Sequence, residues 1–217
     1  MDDEGDVVHK YDRLAAGYSS RYADPAAVVA FYLGLVRSWG SPIPDGGSVL
    51  EVSCADGFMT EGLVRAGYDV TALDIAPAMV ETAAARLADV GLRADLRVAD
   101  IRSWEPDGRW DVVLAPMWTF FHFVDNAPDV LARLGAAASV KVIVDLNPRE
   151  ETVAAGAAAL RDAGLGGVAW RPVPIPLTRK LGPASRGALR AALTVPLVRD
   201  AVLKRRFNVA LKGEPAR

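Results

Sequence analysis

Three carboxylates, one inside an apolar run and two at the ends of others, and one string of small residues mark out the chemistry open to this chain. Glu51 lies inside the run Val49-Leu-Glu-Val, which leads directly into Ser53-Cys-Ala-Asp-Gly. Small side chains let a backbone approach a ligand closely, and a helix opening at Gly57 offers N–H donors with no partner in the helix. Eighteen residues beyond Asp56, Asp74 closes a second apolar run, Val70-Thr-Ala-Leu, and Asp100 closes a third, Leu96-Arg-Val-Ala. A carboxylate at the tip of a second strand can accept both hydroxyls of a ribose, as the acid of dinucleotide folds does. Asp100 can take the exocyclic amine of a purine, with Ile75, Met79 and Ile101 as an apolar slot for the ring. The pyrophosphate pattern G-x-G-x-x-G is missing, because Ser53 and Ala55 stand where glycines would be sought. Farther along, His122 in Pro116-Met-Trp-Thr-Phe-Phe-His-Phe is the one imidazole placed to act as a base in this region.

These residues need elements to hold them. Strands are expected at Val49–Val52, Val70–Leu73, Leu96–Ala99, Asp111–Ala115 and Val140–Leu146, each a near-continuous apolar run of the kind buried parallel strands show. Helices are expected from Gly57 to about Ala66, over Pro77–Val90, over Asn126–Leu134 and over Glu151–Ala163. Strand–helix alternation at this spacing predicts an α/β fold: a doubly wound, mostly parallel, seven-stranded Rossmann-like sheet with helices on both faces. Ligands of such sheets sit beyond the carboxyl ends of the strands, where these acids and Ala115 fall. Val168-Ala-Trp and Phe207-Asn-Val-Ala-Leu are read as a closing pair of strands, with residues 174–204 as a helical insertion before the last. Ahead of the sheet, helices around Tyr11–Ala16 and Pro25–Trp39 form an N-terminal lid over residues 1–44, leaving 45–217 as the main domain.

Composition narrows the classes further. The 217 residues are 51% hydrophobic and 24% charged, which suits a chain with a real core. A single cysteine, Cys54, excludes a disulfide framework, and with only two histidines no metal centre is expected. The acidic opening MDDEGDVVHK has no apolar run behind it, and no stretch of eighteen apolar residues follows, so a cytoplasmic protein without a membrane span is expected. Residues 1–178 carry a net charge of −10, whereas 179–206 hold eight basic residues against Asp200 alone. The acidic body argues against a nucleic-acid partner; the basic stretch is a solvated helix face or, through 186–206, a weak contact with a membrane surface.

Together the loop residues resemble the class I S-adenosylmethionine-dependent methyltransferases of the small-molecule type, over roughly residues 48–146. Val49-Leu-Glu-Val-Ser-Cys-Ala-Asp-Gly is similar to the first, glycine-rich motif of that family, and Leu73-Asp-Ile-Ala-Pro-Ala-Met to its second-strand motif. Ala99-Asp-Ile and Trp110-Asp-Val-Val-Leu-Ala-Pro are similar to the third and fourth, and Tyr11-Asp-Arg-Leu-Ala-Ala-Gly-Tyr to the aromatic lid of small-molecule members. The resemblance implies S-adenosyl-L-methionine as cofactor. It places Glu51, Ser53 and Gly57 along the methionine part, with Ala55 and Asp56 beside them, Asp74 on the ribose, and Asp100 with Ile101 on the adenine. Tyr11, Tyr18 and Arg21 would reach the cofactor from the lid, and Trp118, Phe121 and Tyr22 would wall a small-molecule acceptor taking the methyl group on oxygen or nitrogen, a secondary metabolite or lipid precursor. Two departures stand out: the family's glycines at 53 and 55 are serine and alanine, which would reshape the cofactor contact, and its serine after the second-strand acid is Ala76, which removes a helix cap. The acidic rim of Glu51, Asp56, Asp74 and Asp100 suits a phosphate-free, positively charged adenosine better than it suits a pyrophosphate.

Each of these residues also has a plainer reading. His122, set among Trp118, Phe120, Phe121 and Phe123, is either a base or packing at the sheet's edge. Tyr11, Tyr18 and Tyr22 share one face, as a lid or as core aromatics. Arg21 reaches the cofactor carboxylate or points to solvent. Cys54 lacks a histidine partner at any motif spacing and reads as a buried small residue. Rival functions are a nicotinamide-dependent oxidoreductase, which would need the missing glycines, and a protein that keeps the fold as a binding partner or a cyclase without methyl transfer. A monomer or a homodimer fits equally.

Overall fold

In the computed structural model the described residues are 4–22, 24–117, 127–146, 150–162, 164–172 and 209–215. Helix α1 (Glu4–Leu14), a 3-10 turn at Tyr18–Arg21 and helix α2 (Pro25–Ser38) come before the first strand. Asp24 caps α2: its carboxylate accepts from the Ala27 N–H, and Pro25 takes the first helical position, as expected of a helix starting there. Then follow β1 (Ser48–Val52), α3 (Phe58–Arg65), β2 (Asp69–Asp74), α4 (Pro77–Asp89), β3 (Asp95–Val98) and β4 (Trp110–Ala115). After these come α5 (Ala127–Ala137), β5 (Ala138–Leu146), α6 (Glu150–Asp162), β6 (Leu165–Pro172) and β7 (Val209–Pro215).

The seven strands form one sheet in the order β3-β2-β1-β4-β5-β7-β6. The first five run parallel, and β7 lies antiparallel between β5 and β6. This is the expected doubly wound, mostly parallel architecture. The order reverses beside β1, so the crevice opens between the carboxyl ends of β1 and β4.

Alternation along each strand decides which helices cover which face. Leu50, Val52, Val113, Ala115, Val142 and Val144 turn to one side and pack with Val130, Leu131 and Leu134 of α5 and Leu160 of α6. Val49, Val112, Leu114 and Ile143 turn to the other side, against Val28, Tyr32, Leu35 and Val36 of α2 and Phe58, Met59 and Leu63 of α3. Helix α2 is therefore a layer of the core itself.

The closing strands differ in extent from their sequence reading. Strand β6 starts earlier, at Leu165, with a register shift between Gly166 and Ala169, and β7 runs on through Lys212-Gly-Glu. These polar residues lie beyond the apolar run that marks the strand in sequence. They are accommodated because Lys212 Nζ donates to Glu214 Oε1 at 2.7 Å, and Glu214 also accepts from the N–H and hydroxyl of Ser41. Those donors hold the Glu214 carboxyl well below its ordinary value, at about 2, Lys212 contributing most. The expected insertion 174–204, the basic stretch 186–206 and residues 207–208 lie outside the described residues. No described helix is long and apolar enough to cross a membrane.

Candidate functional site

The turn after β1 is built on three left-handed residues in alternation: Ser53 (φ 62°), Ala55 (φ 50°) and Gly57 (φ 76°). Only glycine adopts this region freely, so the serine and alanine hold a backbone shape that glycine would relax. The turn closes with Gly57 N–H donating to the Cys54 carbonyl at 3.0 Å, and it is tied to β2 through Cys54 N–H on the Leu73 carbonyl at 2.9 Å. Gly57 has a second reason to be glycine: a Cβ there would stand 2.7 Å from Ala83 Cβ and 2.9 Å from Ala83 Cα, on helix α4.

Asp74, at the end of β2, faces this turn. Its Oδ2 accepts from Ala55 N–H at 2.8 Å and its Oδ1 from Ala76 N–H at 3.0 Å. Burial raises its pKa, opposed by those backbone hydrogen bonds, and Asp12 pushes it further up. Its own carbonyl accepts from Ala99 N–H at 2.8 Å, which brings the third strand's end alongside. Glu51 is fully buried in β1, where Oε2 accepts from the Thr60 hydroxyl at 2.7 Å and Oε1 has no partner among the described residues. Burial pushes its pKa up to about 8; the Thr60 hydrogen bond opposes this, and Asp74 and Asp56 add to it. Cys54 is buried as well, and its thiol is raised well above the usual value by burial first and Glu51 next, which leaves it protonated.

The remaining residues divide. Met79 and Ala55 are buried under the N-terminal segment, in one cluster with Ala15 and Ala76 against Tyr11, Leu14 and Tyr18. Ile75 is half-buried. Ala115 and Ile101 belong to the core cluster on the α5 side. Tyr11, Tyr18 and Tyr22 lie on α1, the 3-10 turn and the chain just after it, in a relay of ring contacts at 6.4 and 6.3 Å that ends on Phe58 at 5.3 Å. Arg21 closes the 3-10 turn, and its side chain lies outside the described residues. So do Trp118, Phe121 and His122.

Two of the acids are paired with arginines. Asp56 Oδ2 accepts from Ser19 N–H and from Arg86 Nη2, each at 2.9 Å, while Oδ1 is buried with no partner among the described residues. Asp100 is gripped by Arg102, whose Nη2 reaches Oδ2 at 2.6 Å and whose Nε and N–H reach Oδ1 at 2.9 Å. Burial pushes the Asp100 carboxyl up, but the hydrogen bonds and charge of Arg102 outweigh it, and the net shift is downward. Neither arginine figured in the sequence reading. Arg102, two residues from Asp100, was open to it; Arg86, thirty residues from Asp56, was not.

A third polar group also went unread. At the carboxyl end of β5, Asp145 Oδ2 accepts from the Tyr32 hydroxyl at 2.8 Å, and the Tyr32 hydroxyl oxygen in turn accepts from Met117 N–H at 3.2 Å. Met117 is itself left-handed (φ 53°) and comes five residues before His122 in sequence. Burial first, then the Asp145 charge, raises the tyrosine well above its usual value, so it acts as a neutral donor.

Comparison with known proteins fits this arrangement. Residues 49–140 match a family described as a methyltransferase domain. The ubiquinone biosynthesis O-methyltransferase of Xanthomonas axonopodis pv. citri (strain 306) is 33% identical over 99 residues, covering 45% of this chain and 39% of that protein. The chain thus aligns with about two fifths of the length of the curated relatives it matches. Among solved structures, the magnesium protoporphyrin IX methyltransferase of Synechocystis PCC 6803 with bound S-adenosylmethionine superposes with a TM-score of 0.60 at 17% identity, covering 100% of this chain and 87% of that one. The [4+2]-cyclase SpnF superposes with a TM-score of 0.67 at 18% identity, covering 98% and 96%. By the matched segment, residues 49–140 form a methyltransferase domain, and the sheet order and the superpositions give the chain the fold of the class I S-adenosylmethionine-dependent methyltransferases.

Proposed function

We propose that this protein transfers a methyl group from S-adenosylmethionine to an oxygen or nitrogen of a small molecule. The observation that carries the reading is the pair of buried acids at the β1–α3 turn: Glu51, with one oxygen unpartnered among the described residues, and Asp74. A buried, unpaired carboxylate oxygen is unfavourable in an apolar setting, and a cationic ligand relieves it. When bound, S-adenosylmethionine supplies an electrophilic methyl on a sulfonium.

Glu51 faces the ligand's positive charge, Asp74 accepts from the ribose hydroxyls, and the turn 53–57 presents backbone to the methionine part. Met79 and Ile75 wall the ring. Asp100, held by Arg102, contributes less charge at the adenine than its position in the sequence promises. Holding an acceptor in line with the methyl carbon can supply about 7–11 kcal/mol of such a barrier. Trp118, Phe121 and Tyr22 are assigned to the acceptor's walls, and His122 to taking the proton of an oxygen acceptor. Relatives named for O-methylation favour oxygen as the receiving atom.

Calorimetric titration with S-adenosylhomocysteine and with NAD, followed by turnover assays on a panel of phenols, alcohols and amines, tests the reading. Binding of S-adenosylhomocysteine with turnover of one acceptor class is expected. Binding of NAD alone refutes the cofactor assignment, and binding of S-adenosylmethionine without turnover of any acceptor refutes methyl transfer. Once an oxygen acceptor is known, His122→Ala should slow it by about 10²–10⁴-fold.

A further inference from the structure

The segment carrying Tyr11 and Tyr18 is fastened at two points, both involving helix α4. The first is the helix's own start. Its N-cap is Ala76, which has no side-chain acceptor, and Asp12 of α1 supplies one instead, Oδ1 accepting from Ala78 N–H at 3.1 Å. The second is Arg86, farther along α4, whose Nη2 donates to the Ser19 hydroxyl and to Asp56 Oδ2, both at 2.9 Å, and whose Nε donates to the Asp56 carbonyl at 2.7 Å. Asp56 Oδ2 also takes the Ser19 N–H, so one carboxylate joins the turn, the helix and the N-terminal segment. Between the two points Leu14, Ala15 and Tyr18 pack on Ala55, Ala76 and Met79.

We propose that Asp12, Ser19 and Arg86 are positioning residues of a single two-point clamp, which opens as a unit and sets the rate at which a nucleoside ligand is exchanged. The seat of the clamped segment includes Ala55, in the turn assigned to the methionine part, and Met79, in the wall assigned to the ring, which are 7% and 0% exposed beneath it. A ligand against those residues cannot enter or leave while both ends hold. The stretch from Asp12 to Ser19 is only eight residues and packs through Leu14, Ala15 and Tyr18, so freeing one end strips support from the other. The ligand's identity rests on the function proposed above; the clamp itself does not.

Amide hydrogen exchange separates the two. Asp12→Ala removes the acceptor at Ala78, and the diagnostic amide is the distant one, Ser19, whose own acceptor Asp56 is untouched. Exchange at Ser19 should quicken about fivefold, the ratio that corresponds to loss of one helix cap at about 1 kcal/mol. Asp12→Asn, whose amide oxygen can still accept, should behave like the parent. In stopped-flow binding of S-adenosylhomocysteine, Asp12→Ala should raise association and dissociation rates together, leaving the dissociation constant within about twofold. Unchanged exchange at Ser19, or an asparagine variant as fast as the alanine one, overturns the clamp. So does a dissociation rate that rises alone. Should Asp12→Ala fail to fold, Ser19→Ala with exchange read at Ala78 puts the same question from the other end, and an unchanged rate there is equally fatal. If the parent binds no S-adenosylhomocysteine, the cofactor reading fails while exchange at Ser19 still decides the clamp.

Discussion

Glu51 offers a quantitative handle on the site, because its protonation must change when a cation arrives. With a pKa raised to about 8 by burial, it is roughly nine-tenths protonated at pH 7 in the free protein. An opposite charge within about 4–6 Å lowers a carboxyl by about 1–3 units, so a cationic ligand brings it near 6 and leaves roughly one tenth protonated. Binding at pH 7 should therefore release about 0.8 proton from this group, and about 0.2 at pH 5.5, where the carboxyl is largely protonated in both states. Calorimetric titration of S-adenosylmethionine in buffers of different ionisation enthalpy measures the release. The ligand's own amine titrates nearby, so the decisive quantity is the difference between the parent and Glu51→Gln. The same raised pKa fixes the sign for stability: the contribution of Glu51 is fully present below about pH 4.5 and is lost as pH rises towards 8, a slope that Glu51→Gln should abolish. Equal proton release from parent and variant would mean that no cation settles beside this carboxylate.

Other outcomes follow from the same turn. Asp74→Ala should weaken S-adenosylhomocysteine binding by about 1.5–3 kcal/mol, read by calorimetry, since a buried diol loses its charged acceptor; unchanged affinity would remove Asp74 from the site. Ser53→Gly and Ala55→Gly each relax a left-handed residue but add freedom to the unfolded chain, for a net gain of about 0.5–1 kcal/mol in denaturant melts. Gly57→Ala should lower stability by about 2 kcal/mol or more, because the new methyl meets the backbone of Ala83 and the left-handed φ is lost to strain; a neutral melt would refute the close approach of α3 and α4.

What could be read from the sequence was whatever is encoded locally. The apolar runs ending in Val52, Asp74 and Ala115 are self-sufficient signals, and so is Asp24-Pro25 at the head of α2. Asp74 came through because a strand tip followed by a helix leaves only one place for its carboxylate. The partners of the other acids did not come through. Asp56 meets Ser19 and Arg86, and Tyr32 meets Asp145, 113 residues away, and no periodicity links such positions. The polar end of β7 lay outside the expected strand because Lys212 and Glu214 extend no apolar run, and only the fold brings Ser41 beside them. Nor did the types of Ser53, Ala55 and Met117 announce a left-handed backbone, a shape imposed by the strands on either side.

The position of β7 bears on how this chain reaches its native state. The strand made after every other described element is not an outer one: it is inserted between β5 and β6, pairing Val142–Leu146 on one side and Leu165–Pro172 on the other. Until it emerges from the ribosome, the nascent chain carries β5 with an unpaired edge and β6 with no strand partner among the described elements. Such late, long-range pairing makes for slow closure and a window in which that edge can recruit another chain.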